Sequence, residues 1–166
     1  HEEEFEHNQA RCFKVQVPDI GPAKAVYYDI AALKAVYQYV VDHNIEEGIV
    51  YILACRIGPF LKKYVKMFHA KNIQVFVNPD GHEFKRAKWN WFIRQYWKLS
   101  ERLMIKNADY IVCDSQILKS IFKKITKSIN PKQHLSLMEQ MLLITVMKKN
   151  LKYGLRNMRF QKMNII

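Results

Sequence analysis

Short apolar runs alternating with amphipathic helical stretches predict an α/β fold, a Rossmann-like parallel sheet with helices on both faces. Two observations sharpen this reading. Ile49 to Ala54 and Tyr110 to Cys113 are continuously apolar, as strands buried on both faces of a parallel sheet must be. Each is followed by a helix-starting turn, Gly58-Pro59 after the first and Asp114-Ser115 after the second.

The elements follow in order. Arg11 to Val17 reads as a short strand that Pro18 ends. Gly21-Pro22 opens a helix in which Ala25, Tyr28, Ala32, Val36 and Tyr39 recur at helical spacing as far as His43. Gly48 closes the connection to the strand Ile49 to Ala54. A helix from Gly58-Pro59 runs through Leu61, Val65 and Phe68 to about Asn72. Ile73 to Val77 is the next strand, and Asn78-Pro79-Asp80-Gly81 demands a turn. A long helix from about Trp89 to Ala108 is expected to bury Phe92, Tyr96, Leu99 and Leu103 along one face. Tyr110 to Cys113 and a helix through Ile117, Ile121 and Phe122 complete the series.

Composition excludes several classes. Apolar residues are 49% of the 166, which rules out a disordered chain. No apolar run approaches the ~18–20 residues of a membrane span. Cys12, Cys55 and Cys113 are odd in number and lie in apolar stretches, so they read as buried reduced thiols. The net charge is +12, but residues 133–166 hold six Lys/Arg against one Glu and five of the seven Met. That shift in composition sets a boundary: residues 1–132 form the domain and 133–166 a basic tail.

In parallel α/β sheets ligands sit beyond the carboxyl ends of the strands. The loops there are Cys55 to Gly58, Asn78 to Lys88, and Asp114-Ser115. The middle loop puts Asp80, His82, Glu83, Lys85 and Arg86 within a few residues. Its carboxylates can hold sugar hydroxyls, His82 can move a proton near neutral pH, and Lys85 and Arg86 can meet a phosphate. The same loop also reads as a solvated turn with local ion pairs. Arg56 stands beside a helix N-terminus suited to an anion, or pairs with a carboxylate such as Asp80. A metal is not expected, because no second His follows at i, i+4. The basic, aromatic helix with Trp91, Arg94, Trp97, Lys98 and Arg102 hints at nucleic acid. Its aromatics recur as core residues do, so a solvated face, or one against an anionic membrane, is the better reading.

Several motifs occur together and in order: Ile20-Gly21-Pro22-Ala23, then Tyr51-Ile52-Leu53-Ala54-Cys55-Arg56-Ile57-Gly58-Pro59-Phe60, then Val77-Asn78-Pro79-Asp80-Gly81-His82-Glu83-Phe84-Lys85-Arg86, then Ala108-Asp109 and Val112-Cys113-Asp114-Ser115. In this the chain resembles the amino-terminal domain of rhamnosyltransferase-type glycosyltransferases of bacterial capsule and cell-wall polysaccharide synthesis. Phe84 stands where that family usually has Trp. The resemblance implies the acceptor-side half of a two-domain GT-B enzyme, cytoplasmic and peripheral at the inner membrane face. It implies a lipid-linked saccharide acceptor and a nucleotide-sugar donor, dTDP-rhamnose, held by a second domain, with no cofactor and no metal. Catalytic roles then fall to His82, Glu83 and Asp80. Substrate binding falls to Arg56, Gly58, Asn78, Lys85, Arg86, Asp114 and Ser115. The alternatives are a non-catalytic module for a glycan or membrane surface and, more weakly, a basic nucleic-acid-binding domain.

Measured against that family, an opening glycine-rich strand is expected before His1 and a donor domain after Lys132, so the chain alone is expected to be inactive. The family continues after Asn130-Pro131-Lys132 with Thr-Thr-Phe-Ile-(Ala/Ser)-Tyr-Gly-Thr-Asp. The chain has Gln133-His134-Leu135-Ser136-Leu137-Met138-Glu139-Gln140-Met141 instead. Back-translation of these residues with a shift of frame permits Thr-Phe-Ile-Ser-Tyr-Gly-Thr-Asp. The tail therefore reads as a frameshift product, expected to pack poorly and to leave the sheet short of its next strand.

Overall fold

The computed structural model describes residues 4–7, 10–79, 89–129 and 134–137. β1 (Glu4–His7) and β2 (Ala10–Phe13) form an antiparallel hairpin. A second sheet is parallel, with β3 (Gly48–Leu53), β4 (Ile73–Asn78), β5 (Tyr110–Cys113) and β6 (His134–Leu137) side by side in sequence order. A 3-10 turn, Gly21–Ala23, leads into α1 (Lys24–Asp42). α2 (Gly58–His69), α3 (Trp91–Asn107) and α4 (Gln116–Ile129) connect successive strands. The class is α/β and Rossmann-like, as the alternation of periods required. The four described helices, however, gather on one face of the sheet rather than on both. Strands in sequential order with same-handed crossovers carry their connections to one side.

The core lies between the helices and one face of the parallel sheet. Val50 and Ile52, then Ile73, Val75 and Val77, then Ile111 and Cys113 are alternate residues of their strands and belong to one cluster. Leu33 and Val40 of α1, Leu61, Val65 and Phe68 of α2, Met104 and Ile105 of α3, and Phe122 of α4 pack into it. Strands in sequential order with right-handed crossovers bring α2, α3 and α4 to the same face. α1 joins that layer where the Tyr37 ring meets Phe68 edge-on, centroids 5.6 Å apart. On the other face Ile49 and Leu53 of β3 are about half exposed, at 49% and 51%.

Three further expectations need correction. The segment Arg11 to Val17 keeps strand pairing only to Phe13, and its partner is β1, not the parallel sheet. Within it Cys12 is buried between an exposed Arg11 and a half-buried Phe13, the alternation of a ribbon with one wet side. Arg11 and Phe13 lean on Tyr39 of α1, Arg11 Nη1 donating to its hydroxyl at 2.8 Å.

The second correction is the inner face of α3. Phe92 is 77% exposed and Leu99 52%, whereas Trp97, Ser100, Glu101, Met104 and Ile105 are buried. The buried set repeats at i, i+3/i+4, i+7/i+8 and includes Ser and Glu, which an apolar count passes over.

The third is β6. His134 to Leu137 pair with Tyr110 to Cys113 in parallel register, and Leu135 packs against the core. The sheet is not short of its fourth strand, because the alternation His-Leu-Ser-Leu supplies one.

Candidate functional site

The carboxyl ends of β3, β4 and β5 meet at one edge of the sheet, and buried polar groups gather there. Asn78, the last residue of β4, is 3% exposed. Its side-chain amide donates to Asp114 Oδ1 at 2.7 Å, tying the ends of β4 and β5 together. Its backbone carbonyl accepts from Ala54 N at 2.8 Å, which ties in the end of β3. Ala54 makes that bond with φ of 71°, a left-handed conformation that an alanine adopts only when its surroundings impose it. Tyr51 completes the group. Its hydroxyl is buried with no well-aligned hydrogen-bond partner among the described residues. Burial pushes its pKa up, opposed by Asn78 and reinforced by the charges of Asp114 and Cys113. Cys113 beside it is pushed up to about 11, by burial and then by Asp114, so its thiol stays protonated.

A second cluster forms around Arg56, in the loop after β3. Its guanidinium Nε lies 3.4 Å from Oδ2 of Asp29, a residue of α1. The Asp29 side chain is only 10% exposed. Burial raises its pKa to about 6, although Arg56 opposes the shift. Tyr96 of α3 donates its hydroxyl to the Arg56 carbonyl at 2.8 Å and fixes the loop from the other side. A carboxyl, a guanidinium and a phenol from three separate elements thus converge at the edge.

Gly58 acts through packing. A Cβ there would stand 2.2 Å from the Ser100 carbonyl oxygen, so only glycine lets α2 and α3 approach so closely. Gly58 N donates to Ser100 Oγ at 2.8 Å, and the N–H groups of Phe60 and Leu61 donate to Ile57 O. These amides of the α2 terminus are used inside the protein, so an anion there meets Arg56 rather than free backbone donors. Ser115 is likewise a helix cap, its Oγ accepting from Leu118 N at 3.2 Å.

Of the residues the sequence singled out, Arg56, Gly58, Asn78, Asp114 and Ser115 lie along this edge. Asp80, His82, Glu83, Lys85 and Arg86 fall outside the described residues. Asp80 is not needed to explain Arg56, whose carboxylate partner is Asp29. Sequence reasoning missed Asp29, Tyr51 and Tyr96. The signal for Asp29 was a lone carboxylate among Val26, Ile30 and Leu33 on the apolar face of α1. Among the described residues no three His, Cys, Asp or Glu side chains are grouped as a metal ion would require. Cys12, Cys55 and Cys113 are buried, as their apolar context implied.

The opposite edge looks structural. Asp109 Oδ2 accepts from Val75 N at 2.7 Å and lies 2.9 Å from His69 Nε2, fastening α2 to the starts of β4 and β5.

A parallel sheet under a helix layer, with a polar cluster at its carboxyl edge, defines a Rossmann-like half-domain. Residues 1–135 match the family model described as a domain of unknown function, DUF1972, and the chain belongs to that family. The domain is found in the amino-terminal part of glycosyltransferase-like proteins. No curated protein and no solved structure matches the chain. No described helix is long and apolar enough to cross a membrane.

Proposed function

We propose that this chain is the acceptor-side half of a glycosyltransferase, which with a nucleotide-sugar-binding partner domain transfers rhamnose from dTDP-rhamnose to a lipid-linked saccharide. The observation that carries the reading is the convergence of Asp29, Arg56, Asn78 and Asp114 at the carboxyl edge of the parallel sheet, in a family tied to glycosyltransferase-like proteins. The carboxylates of Asp29 on α1 and Asp114 just after β5, with the amide of Asn78 at the end of β4, suit the hydroxyls of a sugar. Arg56 suits the phosphate of a lipid carrier. In sequence, Asp80, His82 and Glu83 follow directly on Pro79, outside the described residues, and supply an imidazole and two carboxylates able to take the proton from an attacking hydroxyl. Lys85 and Arg86 add cations for the pyrophosphate, so the chemistry calls for no metal.

The test is made in a full-length relative carrying the same motifs. His82→Ala and Glu83→Ala are expected to lower transfer about 100-fold or more, in the range that a positioned acid or base contributes. His69→Ala lies at the far edge of the sheet and is expected to leave kcat within about threefold. Equal losses from all three variants would remove the assignment.

A further inference from the structure

Asp29 is a carboxylate that α1 carries into the protein rather than out to water. Its side chain is 10% exposed, and its Oδ2 takes no well-aligned hydrogen bond from any described residue. A carboxylate held that deep normally draws two or three donors if it is to keep its charge. Here one cation approaches, Arg56 with its Nε at 3.4 Å. Neither protonation state is strongly favoured, and burial, opposed by Arg56, raises the Asp29 pKa to about 6.

The neighbouring elements leave that balance to Arg56 alone. On α1 the positions one turn away are Ala25, Val26, Ala32 and Leu33, none of them charged. α2 turns Leu61 and Phe68 into the core and leaves Lys62, Lys63 and Lys66 exposed. α3 offers Tyr96, whose hydroxyl donates to the Arg56 carbonyl and whose own pKa is raised by burial and then by Asp29. Arg56 also faces outward, its side chain 33% exposed. With the first amides of α2 engaged inside the protein, its guanidinium is the anion donor of this loop.

We infer that Asp29 is a positioning residue that acts through Arg56, releasing the guanidinium to a phosphate group when it takes up a proton and reclaiming it when it loses one. An anion on Arg56 and the charge on Asp29 compete for one cation. Binding therefore draws a proton from water onto the carboxyl, and no bond but that O–H forms. Below about pH 4 the carboxyl is neutral and the anion meets an unopposed Arg56; above about pH 8 it must displace a carboxylate. Affinity for the anion consequently falls as pH rises through the titration of Asp29. The inference deepens the acceptor reading and rests on it for what carries the phosphate, not for the proton. That phosphate is either terminal, as on a free ion or a nucleotide, or esterified on both sides, as between a sugar and a lipid.

The experiment is calorimetric titration of the full chain with sodium sulfate and with diethyl phosphate. These stand for the terminal and the doubly esterified group, and neither titrates between about pH 5 and about pH 8. Buffers of different ionisation enthalpy count the protons taken up. About half a proton is expected near pH 6, with affinity about tenfold weaker at pH 8 than at pH 5, as a displacement of the Asp29 pKa by about one unit requires. Asp29→Asn is expected to bind at the parent's low-pH affinity, with no proton taken up and no change across that range. Arg56→Gln is expected to lose about tenfold or more at low pH, and what remains measures the basic surface. Tighter binding of diethyl phosphate supports the esterified group, and tighter binding of sulfate the terminal one, each with the proton link retained. A count of zero protons for the parent near pH 6 overturns the inference without any variant. It is also overturned if Asp29→Asn takes up as many protons as the parent, or if Arg56→Gln binds equally well. Proton uptake with a failed transfer test would reject only the sugar chemistry, and working transfer without uptake would reject only the role of Asp29.

Discussion

Asp29 is the residue at which burial and charge oppose each other most directly. Its carboxyl titrates near 6 when folded, against an ordinary 3.8, because burial outweighs the Arg56 guanidinium. The folded state therefore holds the proton more tightly than the unfolded chain does. Stability should fall as pH rises from about 4 to about 6, then stay lower. A shift of about two units corresponds to ~3 kcal/mol, and residual solvent contact brings the expected cost to about 1–3 kcal/mol. Asp29→Asn should accordingly stabilise the protein by that amount at pH 8 and by nothing below about pH 4, measured by urea unfolding at both. An Asn variant less stable than the parent at pH 8 would show that the ion pair wins over burial. Arg56 was legible from its place beside Gly58-Pro59. Its partner left only the signal of a lone carboxylate on the apolar face of α1, and tertiary packing alone brings that carboxylate to Arg56.

At the scale of elements, the contact of α2 with α3 rests on Gly58. A methyl group there would meet the Ser100 backbone, carbonyl oxygen at 2.2 Å and Cα at 2.6 Å, and backbone cannot swing aside. Gly58→Ala should cost about 2–4 kcal/mol, from forced separation of the helices and loss of the hydrogen bond to Ser100 Oγ. Ser100→Ala removes only that bond and should cost about 1–2 kcal/mol. Thermal melts of the two variants settle the order, and a Gly58 variant no worse than the Ser100 variant would mean the helices can part freely. Elements of strong period were legible in the sequence: β3, β4, β5 and the four helices stand where apolar runs and helix-starting turns put them. The inner face of α3 was not. Trp91, Phe92 and Leu99 looked like core because they are large and apolar, while the face that packs includes Ser100 and Glu101. Size and hydrophobicity identify what can be buried, whereas the approach of Gly58 decides which side of α3 is.

At the scale of the whole molecule, the question is how much of the chain the fold needs. β6 closes one side of the sheet, pairing with β5 along four residues, and Leu135 packs on the core. We propose that residues 133–166, β6 included, are the out-of-frame product their composition suggests. The alternative frame reads Thr-Phe-Ile-Ser-Tyr over the same bases, itself a strand pattern, so the sheet gains a fourth strand in either frame. Two truncations separate the parts. A chain ending at Lys132 loses β6 and bares the edge of β5, so it should lose about 2–3 kcal/mol and aggregate more readily on heating. A chain ending at Leu137 keeps the sheet intact. A tail without a selected partner surface adds no burial that the fold depends on, so this shorter chain should melt within about 3 °C of the parent. A fall of more than about 8 °C on removing residues 138–166 would show that the tail packs as an evolved part of the domain, and the frameshift reading would fall with it.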